Sequence, residues 1–310
     1  MRRRDRHDGG RGELRTHLDG AKAQFEATNA RIEKRAGRNL FLAILSGLIF
    51  AAAFLVSLFT VAWAFIALVA VLVTIAIVEL ASAFRAAGRR VPRVGAALGG
   101  LIIVAGAALM QAEGALLGLF AASVLLVVWR LVEGLFPAWE TPPKTLIRDV
   151  FSGLFALVYV PFLGSMAVLL IQADRGQWWV FALVVVVVSV DVGAYAAGVT
   201  LGKHKMTPRV SPNKTWEGFG GAALLAVAIG VCLSLFALQQ PWWVGVVLGI
   251  VVLLTATGGD LTESLIKRNL GVKDMSSWMP GHGGFLDRMD SLLPSAVGVY
   301  AVALSLGVFA

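Results

Sequence analysis

Runs of about twenty apolar residues recur from position 40 to the end of this chain, a length that crosses the bilayer core as one helix. Of the 310 residues 58% are hydrophobic and only 15% charged, against about 45–50% and about 25% in an ordinary soluble domain. So little polar surface cannot clothe a fold in water, and the composition predicts an all-α, polytopic integral membrane protein. On the twenty-residue ruler about nine spans fit, near 40–58, 62–84, 94–112, 115–135, 151–172, 177–200, 219–239, 242–262 and 289–309. The stretch 40–84 holds one charge, Glu79, and is too long for one helix, so it divides near Thr60. That division makes the count odd; an even count would move the C-terminus to the other side.

Charge orients the chain. With nine spans, all of the 27 Lys and Arg except Arg175 fall on one side, counting Arg130 with the loop that follows span four. Basic loops stay on the cytoplasmic side, so the N-terminus is expected there and the C-terminus outside. The net charge of +8 lies between apolar spans rather than on a soluble face, which argues against a nucleic-acid partner. Cys232 is the single cysteine, so neither a disulfide framework nor a cysteine metal site can form within the chain. Residues 1–39 read as a basic cytoplasmic extension, too polar for a secretory signal, suited to anionic lipid or simply to reinforcing topology. Residues 40–150 read as N-terminal transmembrane helices and 151–310 as a C-terminal transmembrane catalytic region.

The polar anomalies concentrate in two cytoplasmic stretches. In the first, Asp191 closes a valine run, where a carboxylate needs a partner such as Lys203 or a function. Ser211-Pro212 has the form of a helix N-cap followed by proline, a geometry that also offers N–H groups to an anion beside Lys214 and Thr215. In the second, continuing span eight as a helix places Asp260, Ser264, Lys267 and Arg268 at i, i+4, i+7 and i+8 on one face. An acid, a hydroxyl and two cations on one stripe suit a metal–phosphate complex, whereas Glu263 and Lys267 can equally form a plain i,i+4 pair. Pro280-Gly-His-Gly-Gly284 cannot be regular helix and exposes N–H groups in the manner of an anion nest around His282. Asp287 and Asp290 share a face at the entry to span nine. Hard carboxylates beside phosphate oxygens are the usual surroundings of Mg²⁺. No Walker-type loop and no zinc spacing occurs in the sequence.

The string Ser264-Leu-Ile-Lys-Arg268, Lys273-Asp274, Pro280-Gly-His-Gly-Gly284, Asp287-Arg-Met-Asp290 resembles the signature of phosphatidate cytidylyltransferases. Ser211-Pro-Asn-Lys-Thr-Trp-Glu-Gly218 and Asp191-Val-Gly-Ala-Tyr195 resemble that family's other cytoplasmic elements, in the same order, and Glu79 in a second span is also family-like. Family members commonly carry an arginine where this chain has Val199 after Gly198; Lys203 and Lys205 are the nearby cations. The resemblance implies the reaction CTP + phosphatidate → CDP-diacylglycerol + pyrophosphate, in a bacterial inner membrane with the site facing the cytoplasm. It further implies Asp260 and Asp287 as ligands of Mg²⁺, with room for a second cation. Ser264, Lys267, Arg268 and Arg288 would hold phosphates, with His282 and Asp290 in supporting catalytic roles. Asp191, Lys203, Ser211, Lys214, Thr215, Lys273 and Asp274 would bind substrate. A homodimer belongs to the same set of implications. Two rivals remain at this level: a CTP-dependent lipid kinase acting on a prenol, and an ion-coupled transporter using Asp191 and Asp260.

Overall fold

The computed structural model of the protein describes residues 40–136, 142–208, 210–272, 275–276 and 284–309. The basic extension 1–39, Lys273, Asp274 and His282 therefore lie outside the described residues. The chain divides into two units, Met1–Ala53 with Met279–His282, and Phe54–Trp278 with Gly283–Ala310. The described part of the first is the start of one helix, and the second holds the rest of the described chain.

Eight helices make up the described chain: α1 (Leu40–Thr60), α2 (Ala62–Ala86), α3 (Arg93–Gly134), α4 (Pro143–Ile171), α5 (Gly176–Leu201), α6 (Trp216–Leu238), α7 (Trp242–Leu270) and α8 (Leu292–Ser305). Six of them, α2 to α7, are long and apolar enough to cross a membrane. The fold class is thus all-α, and the chain is an integral membrane protein. The division expected near Thr60 falls at Val61, whose extended backbone (φ −137, ψ 137) separates α1 from α2. Large apolar side chains such as Leu109, Phe120, Leu224 and Phe236 are exposed on the outer faces, as expected where hydrocarbon rather than water is the solvent.

Two spans are less regular than a hydropathy ruler suggests. Within α3, Met110 (φ −130, ψ 20) and Gln111 (φ 51, ψ −139) leave the helical region. The chain doubles back there, because a Cβ on Gly106 would sit 2.2 Å from the Gly114 carbonyl oxygen, and one on Gly118 would sit 2.9 Å from the Ile103 Cα. Two arms packed backbone to backbone need glycine at the crossing, as small residues allow in membrane helix pairs. In α4, Val158–Phe162 forms a π-turn around Pro161, where the missing proline N–H is accommodated by widening the helix.

One buried charge is paired between helices, and one assignment differs from the sequence reading. Arg130, inside the expected span 115–135, is fully buried near the end of α3, with Nη2 2.9 Å from Asp149 Oδ2 on α4. A guanidinium in that position must be neutralised locally, and Asp149, itself 2% exposed, does so. Ser211-Pro212 is not an N-cap. Lys205–Thr207 (β1) and Ser211–Thr215 (β2) form an antiparallel hairpin, pairing Lys205 with Thr215 and Thr207 with Ser211. The cap of α6 is Thr215, whose hydroxyl accepts from the Gly218 N–H at 3.1 Å, so that N–H is not left for an anion.

The buried pair supports a stability prediction. Arg130→Met should destabilise the protein by about 3–5 kcal/mol, because it strands the Asp149 charge in a dry place. The Arg130→Met/Asp149→Leu double variant should recover most of that loss. Thermal unfolding in detergent checks both; a double variant no better than the single would show that the ion pair is not the origin of the effect.

Candidate active site

Helices α5, α6 and α7 and the hairpin enclose a cavity of about 290 Å³. Its wall includes Asp191 and Tyr195 from α5, Ser211, Asn213, Lys214 and Thr215 from β2, Asp260 from α7, and Ser291 at the foot of α8. The hairpin exists because the polar 202–215 segment follows a long apolar helix, and its return strand delivers Lys214 to the cavity. Lys214 Nζ lies 2.5 Å from Asp260 Oδ2. Asp260 Oδ1 has only a long contact, 3.5 Å, with Ser264 Oγ one turn on. Asp191, Asp260 and Asp290 lie within electrostatic reach of one another, with Lys214, Lys267 and Arg288 as the nearby cations.

Beside the cavity, Lys267 is shared by two carboxylates. Its Nζ lies 3.0 Å from Glu263 Oε2 and 3.0 Å from Asp287 Oδ1. The i,i+4 pair with Glu263 is present, but Asp287 converts it into a bridge between α7 and the turn Leu286–Arg288. Asp287 Oδ2 accepts from the Gly284 N–H at 2.7 Å and the Met275 N–H at 3.3 Å. Burial works to raise the Asp287 pKa, yet Glu263, the Lys267 ammonium and the Gly284 N–H together hold it below its ordinary value. It is therefore an anion near neutral pH.

Ser276, Phe285 and Leu286 are fastened from a distant helix. Glu79 on α2 accepts hydrogen bonds from the Phe285 N–H (3.1 Å), the Leu286 N–H (2.6 Å) and the Ser276 hydroxyl. Gly259 lets α7 touch the following turn, since a Cβ there would lie 2.2 Å from the Asp290 carbonyl oxygen. Tyr159, within the π-turn of α4, is buried with a hydroxyl that finds no partner among the described residues, and Glu263 Oε1 is in the same condition. Both point to a polar interior next to the Lys267 bridge.

The geometry sorts the residues singled out by sequence. Asp191, Ser211, Lys214, Thr215 and Asp260 meet around the cavity, with Ser264 against Asp260. Lys267 and Asp287 meet in the adjoining bridge. Arg268 does not face the cavity cluster: its Nε and Nη2 donate to the Val210 carbonyl oxygen at 2.7 and 2.5 Å, bracing the hairpin turn. Lys203 is exposed; its backbone N–H and that of His204 donate to Glu217, and among the described residues no ion pair joins the Lys203 side chain to Asp191. Arg288 is exposed on its short turn. Sequence reasoning gave no role to Glu79, Tyr159 or the Lys267–Glu263–Asp287 bridge as a unit; an isolated acid in an apolar span is the one local signal for the first.

A hard divalent cation would find limited protein ligation here. Among the described residues no three His, Cys, Asp or Glu side chains converge as a ready ligand set. A carboxylate offers about four lone-pair sites, and Asp260 Oδ1 and Asp287 Oδ1 each retain capacity beyond the contacts above. One or two carboxylates, completed by water and a substrate phosphate, is the donor set that magnesium-sized cations take, so the residues fit.

A polytopic membrane protein with cations and carboxylates gathered around a cavity beside one polar loop belongs, by chemistry, among enzymes that handle phosphorylated substrates. The comparison with known proteins narrows this. A model described as "Cytidylyltransferase family" matches residues 41–306. The phosphatidate cytidylyltransferase of Mycobacterium bovis is 37% identical over 273 residues, covering 86% of this chain and 89% of that protein. That of Mycobacterium leprae is 38% identical over 271 residues, 85% and 87% of the two chains. That of Helicobacter pylori is 40% identical over 142 residues. The chain belongs to the cytidylyltransferase family.

Proposed function

We propose that this protein transfers the cytidylyl group of CTP to phosphatidate, forming CDP-diacylglycerol and releasing pyrophosphate. The observation that carries the proposal is the cavity bearing Lys214 against Asp260, in a chain similar over 86% of its length to phosphatidate cytidylyltransferases. A phosphate oxygen of phosphatidate attacks the α-phosphorus of CTP; the new P–O bond forms as the bond from that phosphorus to the bridging oxygen breaks, and pyrophosphate leaves. The nucleophile is already an anion, so the chain need supply no dedicated base. Its task is to bring two polyanions together and hold them in line, which positioning and charge neutralisation achieve.

Lys214 and Lys267 are the cations suited to the phosphates, and each is held by carboxylates so that its ammonium is fixed before substrate arrives. Ser264, Thr215 and Ser211 add hydroxyls, and Arg288 an exposed guanidinium for the departing pyrophosphate. Asp260 and Asp287 would hold Mg²⁺, which when bound supplies charge neutralisation on the phosphates. Asp191 and Asp290 complete the negative surround. Counting α1, both arms of α3 and α8 beside the other helices gives nine crossings, and the Lys and Arg bias supports a site open to the cytoplasm, where CTP is found.

The test is purified protein in detergent with phosphatidate, Mg²⁺ and CTP labelled at the α or the γ phosphate. Label from the α position is expected in the lipid, with pyrophosphate released. Entry of γ label into lipid would identify a CTP-dependent lipid kinase and overturn the proposal.

A further inference from the structure

A second cleft lies away from the cavity. It encloses about 490 Å³ and is lined by Phe84 of α2, Arg89 of the loop after it, Arg148, Phe151, Ser152 and Phe155 of α4, and Ile266, Asn269 and Leu270 of α7. At about 100° per residue, the α7 side chains in this cleft lie on the opposite flank of the helix from Asp260 and Ser264. The cleft is therefore not an extension of the cavity.

Its chemistry is layered along α4. Arg148, Phe151, Ser152 and Phe155 stand at i, i+3, i+4 and i+7, one face of the helix, with the cation nearest the helix start and the rings progressively deeper. Arg89 joins Arg148 at the same end: its Nη1 donates to the Ser152 hydroxyl at 3.3 Å, and its guanidinium lies 5.6 Å from the Phe84 ring centroid. Arg148 Nη2 donates to the Gly88 carbonyl oxygen at 2.8 Å. Each guanidinium is thus oriented by a neutral acceptor, and neither meets a carboxylate among the described residues. Below them the Phe155 ring packs edge-on to Phe84, while Phe151 is 67% exposed. Two oriented but charge-unbalanced arginines at one end of a helix, above a phenylalanine-lined cleft open to hydrocarbon, match a lipid with a phosphate head and an acyl tail.

We propose that this α2–α4–α7 cleft is a second lipid site that binds a phosphomonoester lipid, its phosphate between Arg89 and Arg148 and an acyl chain along Phe151 and Phe155. Two guanidiniums complement the nearly dianionic phosphomonoester better than the single charge of a phosphodiester lipid, which commits the site to the phosphatidate class. The proposal rests on the proposed reaction only in making that lipid the enzyme's own substrate class, so the site would hold a molecule next to the helix that carries the catalytic carboxylate.

Native mass spectrometry of the full chain released from detergent, without CTP, tests binding independently of turnover. With phosphatidate, two lipids per chain are expected for the wild type and one for Arg89→Gln/Arg148→Gln, with the second affinity falling about tenfold or more. Phe151→Ala, which removes the ring at an exposed position without placing a charge in hydrocarbon, should lose the same lipid. CDP-diacylglycerol formation at saturating lipid should stay within about twofold in both variants, since neither touches the cavity. Retention of two phosphatidates by the double-arginine variant, retention by Phe151→Ala alone, or equal second-site occupancy by phosphatidylglycerol would each overturn the proposal. Absent turnover in a wild type that still binds two phosphatidates would instead strike the reaction and leave the site standing.

Discussion

Asp260→Asn is expected to lower CDP-diacylglycerol formation by on the order of 10²–10³-fold, the scale seen when one preorganised electrostatic partner is removed from a reacting phosphate or oxyanion. The substitution keeps volume and one carbonyl oxygen but removes the charge that faces Lys214 at 2.5 Å. Lys214 then loses its fixed position, and a hard cation loses an anionic ligand. Asp287→Asn should fall in the same range for a different reason. An amide can still accept from Gly284 or from Lys267, but its NH₂ must then face the other donor, so the bridge from α7 to the 284–288 turn is broken. Both variants should remain in the membrane and unfold within a few degrees of wild type, because neither residue lies in the hydrophobic core. Rates within about threefold of wild type in either variant would remove that residue from the catalytic machinery. Raising Mg²⁺ should not restore Asp287→Asn if the hydrogen-bonded turn is the deficit, whereas partial recovery in Asp260→Asn would point to weakened metal affinity.

How far the sequence foretells this arrangement depends on whether the deciding contact is local. Helical spacing places Asp260, Ser264 and Lys267 on one stripe, and the structure keeps them there, because α7 runs unbroken from Trp242 to Leu270. Arg268 shares that stripe in projection but reaches instead to the Val210 carbonyl, an acceptor 58 residues away that no periodicity reveals. Ser211-Pro212 has the composition of an N-cap, yet pairing with Lys205–Thr207 draws it into a strand, and the cap passes to Thr215. Arg130 reads correctly as a cation near the end of a span, but its partner Asp149, 19 residues on, is set by the packing of α4 against α3. The apolar spans are legible because each residue's preference for hydrocarbon acts alone. The reversal at Met110–Gln111 is legible as a pause in hydropathy, since the flanking apolar runs total twice the length of one crossing. The least legible feature is the contact of Glu79 with Ser276, Phe285 and Leu286, about two hundred residues away along the chain.

That contact gives the second large effect. Glu79 is 7% exposed, and its two oxygens accept from the Ser276 hydroxyl and the N–H groups of Phe285 and Leu286. The carboxylate ties α2 to Ser276, Phe285 and Leu286 through both oxygens, and Asp287 follows directly after the last of them. Glu79→Gln presents one amide NH₂ to at least one backbone donor, so a hydrogen bond is replaced by two opposed N–H groups in a buried place. Leaving such donors unsatisfied costs about 1–3 kcal/mol, enough to release the turn without unfolding eight helices. A shift of about 1 Å in a positioning element can reduce a rate by about 100-fold, so Glu79→Gln should reduce kcat by about 10–100-fold while leaving CTP affinity less affected. The accompanying signature is faster amide hydrogen exchange over 284–289 with α7 still protected. Glu79→Asp, which keeps both acceptors on a shorter stem, should recover part of the rate. Loss of activity in Glu79→Gln with unchanged exchange in that turn would mean that Glu79 acts on substrate or metal directly, and not by holding Asp287 in place.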